Sequence, residues 1–184
     1  QINYTAVRGT NAPWAVSPEQ SVAYCEAHDN HTLWDRLQWT ASDYSEEEKV
    51  RIHQLAAAIV LTSQGIPFLH AGQDFLRTKD GVENSYASPD KINWLDWLRK
   101  ARYDQVFKYV QGLIALRKAH PAFRMRSAED IQRNLVFLDL PNRMIGYTLI
   151  DHANGDRWET IVVLFNSARI ARKVKLPGRH WVAV

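Results

Sequence analysis

Residues 45–65, SEEEKVRIHQLAAAIVLTSQG, constrain the fold most, because they read as one helix with both ends marked and with a strand-like run on either side. Ser45, with Glu48 three residues on, forms a capping box, and Gly65 can supply the left-handed residue that follows a last turn. Ile52, Leu55, Ala56, Ile59 and Val60 are expected on one apolar face. Before the helix, residues 21–27 are apolar enough for a short strand; after it, GIPFLHAG reads as a buried strand bounded by glycines. Strand, helix and strand in this order form a parallel βαβ unit.

Each strand runs out into polar residues. Residues 24–34, YCEAHDNHTLW, place His28 and Asp29 just past the first strand, and His70, Gln73 and Asp74 follow the second. In α/β barrels the catalytic groups come from the C-terminal ends of parallel strands, so one face can carry both clusters. The bland alternative for His28 is an imidazole satisfied by backbone. The 73–97 loop that follows is long enough to be functional or disordered, and Phe75, Tyr86, Trp94 and Trp97 argue against disorder. Trp94 and Trp97 are expected to differ in exposure, one packed and one facing a ligand. A second amphipathic helix is expected over 102–118, with Tyr103, Val106, Phe107, Val110, Leu113 and Ile114 on its stripe and Pro121 ending it. Beyond residue 126 the runs LVFLDL, MIGYTLI and TIVVLF, separated by turn signals, read as antiparallel strands, and the terminal RHWVAV is strand-like too.

Composition removes several function classes. With 23 basic against 20 acidic residues, the net charge of +3 is too small to argue for nucleic acid, and the basic stretch 99–126 reads as the solvated face of a helix. No run of about 18 apolar residues is present to span a membrane. The opening QINYTAVRGT lacks a signal-peptide pattern and an initiator methionine, which suggests a processed or excised chain. Cys25 has no second cysteine to pair with inside the chain, so the redox compartment stays open. HDNH and HAGQD hold metal-type ligand atoms but lack zinc or calcium spacing, no G-x-S-x-G elbow occurs, and no glycine-rich loop could cradle phosphate. No metal or cofactor is therefore assigned. The seven tryptophans are either core filling or platforms for stacking sugars. A carboxylate and an imidazole beside a tryptophan-rich loop suit glycoside hydrolysis, whose oxocarbenium-like transition state is stabilised by carboxylates and by hydrogen bonds to sugar hydroxyls.

The blocks EAHDNHTLWDRL, GIPFLHAGQDFLRTKDGVENSYASPDKINWLDW and GLIALRKAHPAFR, spread from about Ser17 to Arg124, resemble bacterial type I pullulanases, the α-1,6 debranching members of the α-amylase family. The resemblance implies an α/β fold: residues 1–125 as the C-terminal part of a (β/α)8 TIM barrel, and residues 126–184 as the first, incomplete part of an all-β sandwich domain. It further implies that Asp29 is the third catalytic carboxylate, a transition-state stabiliser, and that His28 binds sugar hydroxyls. Asn84, Tyr86 and Asp90 become glucose contacts beside the donor-side subsites. The family's nucleophile and acid/base would lie upstream of Gln1, so the chain is expected to be a fragment that is inactive alone. Its partners would be an α-glucan and the remainder of the barrel, with no nucleic acid and no membrane. No cofactor is evident; any calcium would sit elsewhere in the complete enzyme. The substrate class favours an extracellular or cell-surface setting, with the cytoplasm as the alternative. The rival readings are an isoamylase or glycogen-debranching relative, and a non-catalytic glucan-binding or assembly fragment.

Overall fold

The computed structural model describes residues 15–176, Gly178 and residues 180–184. The N-terminal stretch QINYTAVRGT lies outside the described residues. Strand β1 (Val22–Ala23) pairs in parallel with β2 (Ile66–Pro67), and helices α1 (Leu33–Thr40) and α2 (Glu46–Thr62) fill the connection between them. The βαβ order expected from the sequence is present. The strands are shorter than the apolar runs suggested, and α1 emerges from a segment read as loop. Nor is the second strand buried: Ile66 and Phe68 are exposed, as are Val22 and Tyr24.

Helix α2 begins as its sequence dictates. Ser45 Oγ accepts from the Glu48 amide at 3.2 Å, and Glu48 Oε2 accepts from the Ser45 amide at 2.9 Å. Three glutamates in the first turn complement the helix dipole. Its far end differs from expectation. The helix stops at Thr62, Ser63 is extended, and the last carbonyls are taken by Arg117, whose guanidinium donates to Leu61 O, Ser63 O and Gly65 O at 2.7–2.9 Å. Gly65 is left-handed (φ +89°), but it serves a close approach: a Cβ there would sit 2.8 Å from Ser21 O and 3.0 Å from Pro18 O. The buried face also differs, with Val50, His53, Ala57, Val60 and Leu61 inward and Ile59 exposed. A helix apolar on most of its circumference does not announce which side meets a partner.

Beyond the 73–97 segment, which carries a 3-10 turn (Gln73–Phe75) and the short helix α3 (Asp90–Asn93), the helix expected over 102–118 is present as α5 (Asp104–Ala119), and a short helix not foreseen, α4 (Trp97–Arg102), precedes it across a break. The break falls at Tyr103 (φ −111°, ψ 34°). This residue turns into the core, its ring centroid 6.0 Å from that of Trp34 and its hydroxyl donating to Glu46 Oε1 at 2.9 Å. Trp34, Val50, Leu76, Tyr103 and Val106 form one apolar cluster, and Ala57, Leu61 and Val110 form another. Arg117, expected on the solvated face, is drawn into the interior by the carbonyls it caps.

Helix α6 (Ala128–Asn134), capped by Ser127 and not foreseen, leads into an antiparallel sheet of β3 (Leu135–Phe137), β4 (Met144–Leu149) and β5 (Ile161–Asn166), ordered β3-β4-β5. The described part of RHWVAV, residues 180–184, is not in a strand, and Arg179 lies outside the described residues. The third apolar cluster joins Ala122, Phe123 and Met125 to Tyr147, Leu149, Ala153 and Ile161. Two polar links reinforce this joint. Tyr147 donates its hydroxyl to Thr62 O at 2.6 Å, and the buried Asp156 accepts from His120 Nδ1 at 2.9 Å, from the Ala122 amide at 3.2 Å and from the Trp158 amide at 2.9 Å.

Candidate active site

After β1 the chain turns Glu26 inward and then bulges outward through residues 28–31, with Asn30 left-handed at φ +59°. Thr32 Oγ1, accepting from the Asp35 amide at 3.1 Å, ends the bulge by starting α1. His28 and Asp29 therefore stand at the crest of a turn, their side chains 84% and 77% exposed and His28 Nε2 3.4 Å from Asp29 Oδ1.

The base of that turn is buried and hydrogen-bonded. Glu26 Oε2 accepts from the Leu33 amide at 2.7 Å, which closes the turn, while Oε1 accepts from His70 Nδ1 at 2.9 Å. On the other side of that imidazole, Arg77 Nη1 lies 3.0 Å from Nε2. A guanidinium can only donate, so the ring carries its proton on Nδ1 and accepts at Nε2. Arg77 continues through Nη2 to Asn93 O at 2.6 Å. Gln73 donates to Cys25 Sγ at 3.1 Å, and burial, helped by the Glu26 charge, pushes the Cys25 thiol up to about 11. The residues after β2 thus meet those after β1. His53 approaches from α2: it is fully buried, neither ring nitrogen finds a partner among the described residues, and burial drives its pKa down to about 4, against the pull of Glu26. It is a neutral imidazole at neutral pH.

The 73–97 segment is tied to the same turn. Asp35, on α1, accepts from the Lys79 amide at 2.7 Å and from the Thr78 hydroxyl. The Lys79 ammonium donates to His28 O and Glu83 O, both at 3.1 Å. Asn93 donates to Ser85 O at 2.7 Å and Ser88 O at 3.1 Å, which shapes the stretch holding Asn84, Tyr86 and Asp90. All three of these side chains are exposed. Trp94 and Trp97 are exposed alike, at 60% and 63%, contrary to the expected contrast. Their spacing of three does not place them on one helix: Trp94 ends α3, whereas Trp97 starts α4, with its ring 5.6 Å from that of Phe75. Among the described residues no group of three or more His, Cys, Asp or Glu side chains is placed to hold a metal.

Sequence reasoning did not single out Glu26, Arg77 or Lys79. Glu26 hides inside an apolar run and Lys79 inside a polar loop, and neither carries a spacing signal. The arrangement as a whole is an exposed carboxylate and imidazole on a crest held from beneath by a buried polar network. Such a crest can accept hydroxyl hydrogen bonds and can place negative charge against a developing cation.

Known proteins share both sequence and geometry. Residues 131–184 match the family model described as "Pullulanase, all-beta domain". The pullulanase of Bacillus subtilis (strain 168) is 47% identical over 167 residues, covering 91% of this chain and 23% of that protein. The crystal structure of pullulanase from Paenibacillus barengoltzii in complex with maltohexaose and α-cyclodextrin superposes with a TM-score of 0.89 at 53% identity, over 92% of this chain and 26% of that one. An isoamylase from a Flavobacterium species is more distant, 27% identical over 198 residues covering 95% of this chain and 24% of that protein. The chain thus spans about a quarter of the length of these relatives. By sequence and by backbone geometry alike, it belongs to the pullulanase family.

Proposed function

We propose that the complete protein is a retaining glycoside hydrolase that cleaves α-1,6-glucosidic branch linkages in pullulan, amylopectin or related α-glucans. Residues 1–125 contribute the C-terminal part of a (β/α)8 barrel, and residues 126–184 begin a β-sandwich domain. The observation that carries this reading is the exposed His28–Asp29 crest at the C-terminal end of a parallel strand, where barrel enzymes keep their chemistry. The maltohexaose and α-cyclodextrin bound to the Paenibacillus barengoltzii relative support an α-glucan as partner. Asp29 stabilises the oxocarbenium-like ring as charge develops, His28 holds a sugar hydroxyl, and Asn84, Tyr86 and Asp90 border the donor-side glucose. The nucleophile and acid/base are assigned to the remainder of the barrel, which is this chain's other partner. A polymeric glucan substrate favours an extracellular or cell-surface setting.

The test is Asp29→Asn in the complete enzyme, assayed on pullulan. The amide keeps size but loses the charge facing the sugar ring, so kcat should fall about a hundredfold or more, a cost on the order of 3 kcal/mol, with KM little changed. A folded Asp29→Asn enzyme with near-normal kcat would refute the assignment. The similarity to an isoamylase keeps an isoamylase-type debranching enzyme as the second reading. Failure to act on pullulan, with activity retained on amylopectin, would favour it.

A further inference from the structure

We propose that Lys79 is a positioning residue that sets the Asp29 crest and the Asn84–Tyr86 stretch together, through a single buried ammonium. This rests on the proposed role of Asp29. The side chain is 1% exposed and heads the largest fully buried side chains among the described residues. Its Nζ donates to His28 O and to Glu83 O, each at 3.1 Å, and so joins a residue 51 positions away to one four positions away. Those carbonyls immediately precede Asp29 and Asn84. The other end of Lys79 is fixed as well. Its amide is held by Asp35 Oδ2 at 2.7 Å, and its carbonyl accepts from the Val82 amide at 2.9 Å across a turn with Asp80 and Gly81 left-handed.

Packing alone does not call for this residue. A buried ammonium costs desolvation, and an apolar side chain of similar length would fill the space at lower cost. Among the described residues no carboxylate comes within ion-pair distance of Nζ, and both of its acceptors are backbone carbonyls. Burial draws the Lys79 pKa below the usual lysine range and Arg77 adds to this, while Asp35, Asp29 and Glu26 oppose it. The ammonium therefore lies in the field of Asp29 while it holds the backbone beneath Asp29. What an apolar residue could not supply is two directed hydrogen bonds to two loops that must face one sugar. A displacement of about 1 Å in a group facing the reacting centre is worth on the order of a hundredfold in rate.

The test is a double-mutant cycle in the complete enzyme on pullulan, using Lys79→Met and Asp29→Asn. Lys79→Met alone should lower kcat between about ten- and a hundredfold with KM changed by less than about threefold. In the Asp29→Asn background the same substitution should cost at least about threefold less than it does alone, because the part that acts through Asp29 is already gone and only the part that acts through the Asn84–Tyr86 stretch remains. Losses that multiply, or a Lys79→Met enzyme with normal kcat, would overturn the proposal. The Asp29→Asn arm read alone reports on the underlying assignment, so failure of that reading is separable from failure of this one. Should Lys79→Met not fold, Lys79→Gln, a shorter side chain with an uncharged NH2 donor group, is read in the same cycle. Failure of both to fold would assign the ammonium to the fold rather than to the crest and would overturn the proposal too.

Discussion

Replacing Asp156 by asparagine should weaken the joint between the helical part and the antiparallel sheet by about 4 kcal/mol, within a range of roughly 3–5 kcal/mol. The carboxylate is buried and accepts three hydrogen bonds, from His120 Nδ1, the Ala122 amide and the Trp158 amide. Asparagine keeps the shape but turns one acceptor into a donor. In its better orientation the amide oxygen still serves His120 and Trp158, while its NH2 group confronts the Ala122 N–H. One buried donor is then unpaired, at about 1–3 kcal/mol, and the two surviving bonds lose charge assistance worth about 1 kcal/mol each. The pH dependence follows from the same contacts. Burial is the largest single influence on Asp156 and pushes its pKa up. The bonds from Trp158, His120 and Ala122, with the His120 charge, outweigh it and hold the carboxyl below the ordinary aspartate value. A folded pKa below the unfolded one means the stabilisation is complete above about pH 4 and fades as pH falls through the folded value. Urea unfolding of the complete protein and the variant should therefore show a constant gap from about pH 5 to 8 that closes in acid. A gap under about 1 kcal/mol at pH 7 with unchanged m, or one that persists undiminished at pH 3, would refute the reasoning.

Two further substitutions and one chemical probe test other parts of the structure. Gly65→Ala should cost about 2 kcal/mol or more, since it combines positive φ with backbone oxygens at 2.8 and 3.0 Å from the new Cβ, whereas Gly81→Ala, at φ +78° with open space around it, should cost only about 1 kcal/mol. Equal losses of unfolding free energy at the two sites would refute the contact argument. Native Cys25, its pKa raised to about 11, should alkylate at pH 8 on the order of a hundredfold more slowly than the same thiol in urea, because the thiolate is the reactive form. Equal rates in the two states would show that neither burial nor the Glu26 charge restrains it.

What could be read from residues alone was local. The Ser45–Glu48 capping box set the start of α2, strand-like runs on either side of a helix set a parallel pairing, and three turn-separated runs after residue 126 set an antiparallel sheet. The pattern around His28 and Asp29 pointed to polar side chains gathered just past a strand end, and the long ordered blocks to a family. These signals depend on a few neighbouring residues, through capping bonds, turn conformations and the period of apolar side chains. The tertiary structure decided the rest. It chose the face of α2 bearing His53 and Leu61 over that bearing Ile52 and Ile59, set an unforeseen short helix, α4, apart from α5 at Tyr103, and drew Arg117 inward to cap carbonyls more than fifty positions away. It also buried Glu26 and Lys79, neither of which carries a sequence signal for burial. The reason is physical: a carboxylate or ammonium can be buried only where partners converge on it. Here those partners, His70 for Glu26 and the His28 carbonyl for Lys79, lie 44 and 51 residues away along the chain, at distances that exist only once the strands have paired.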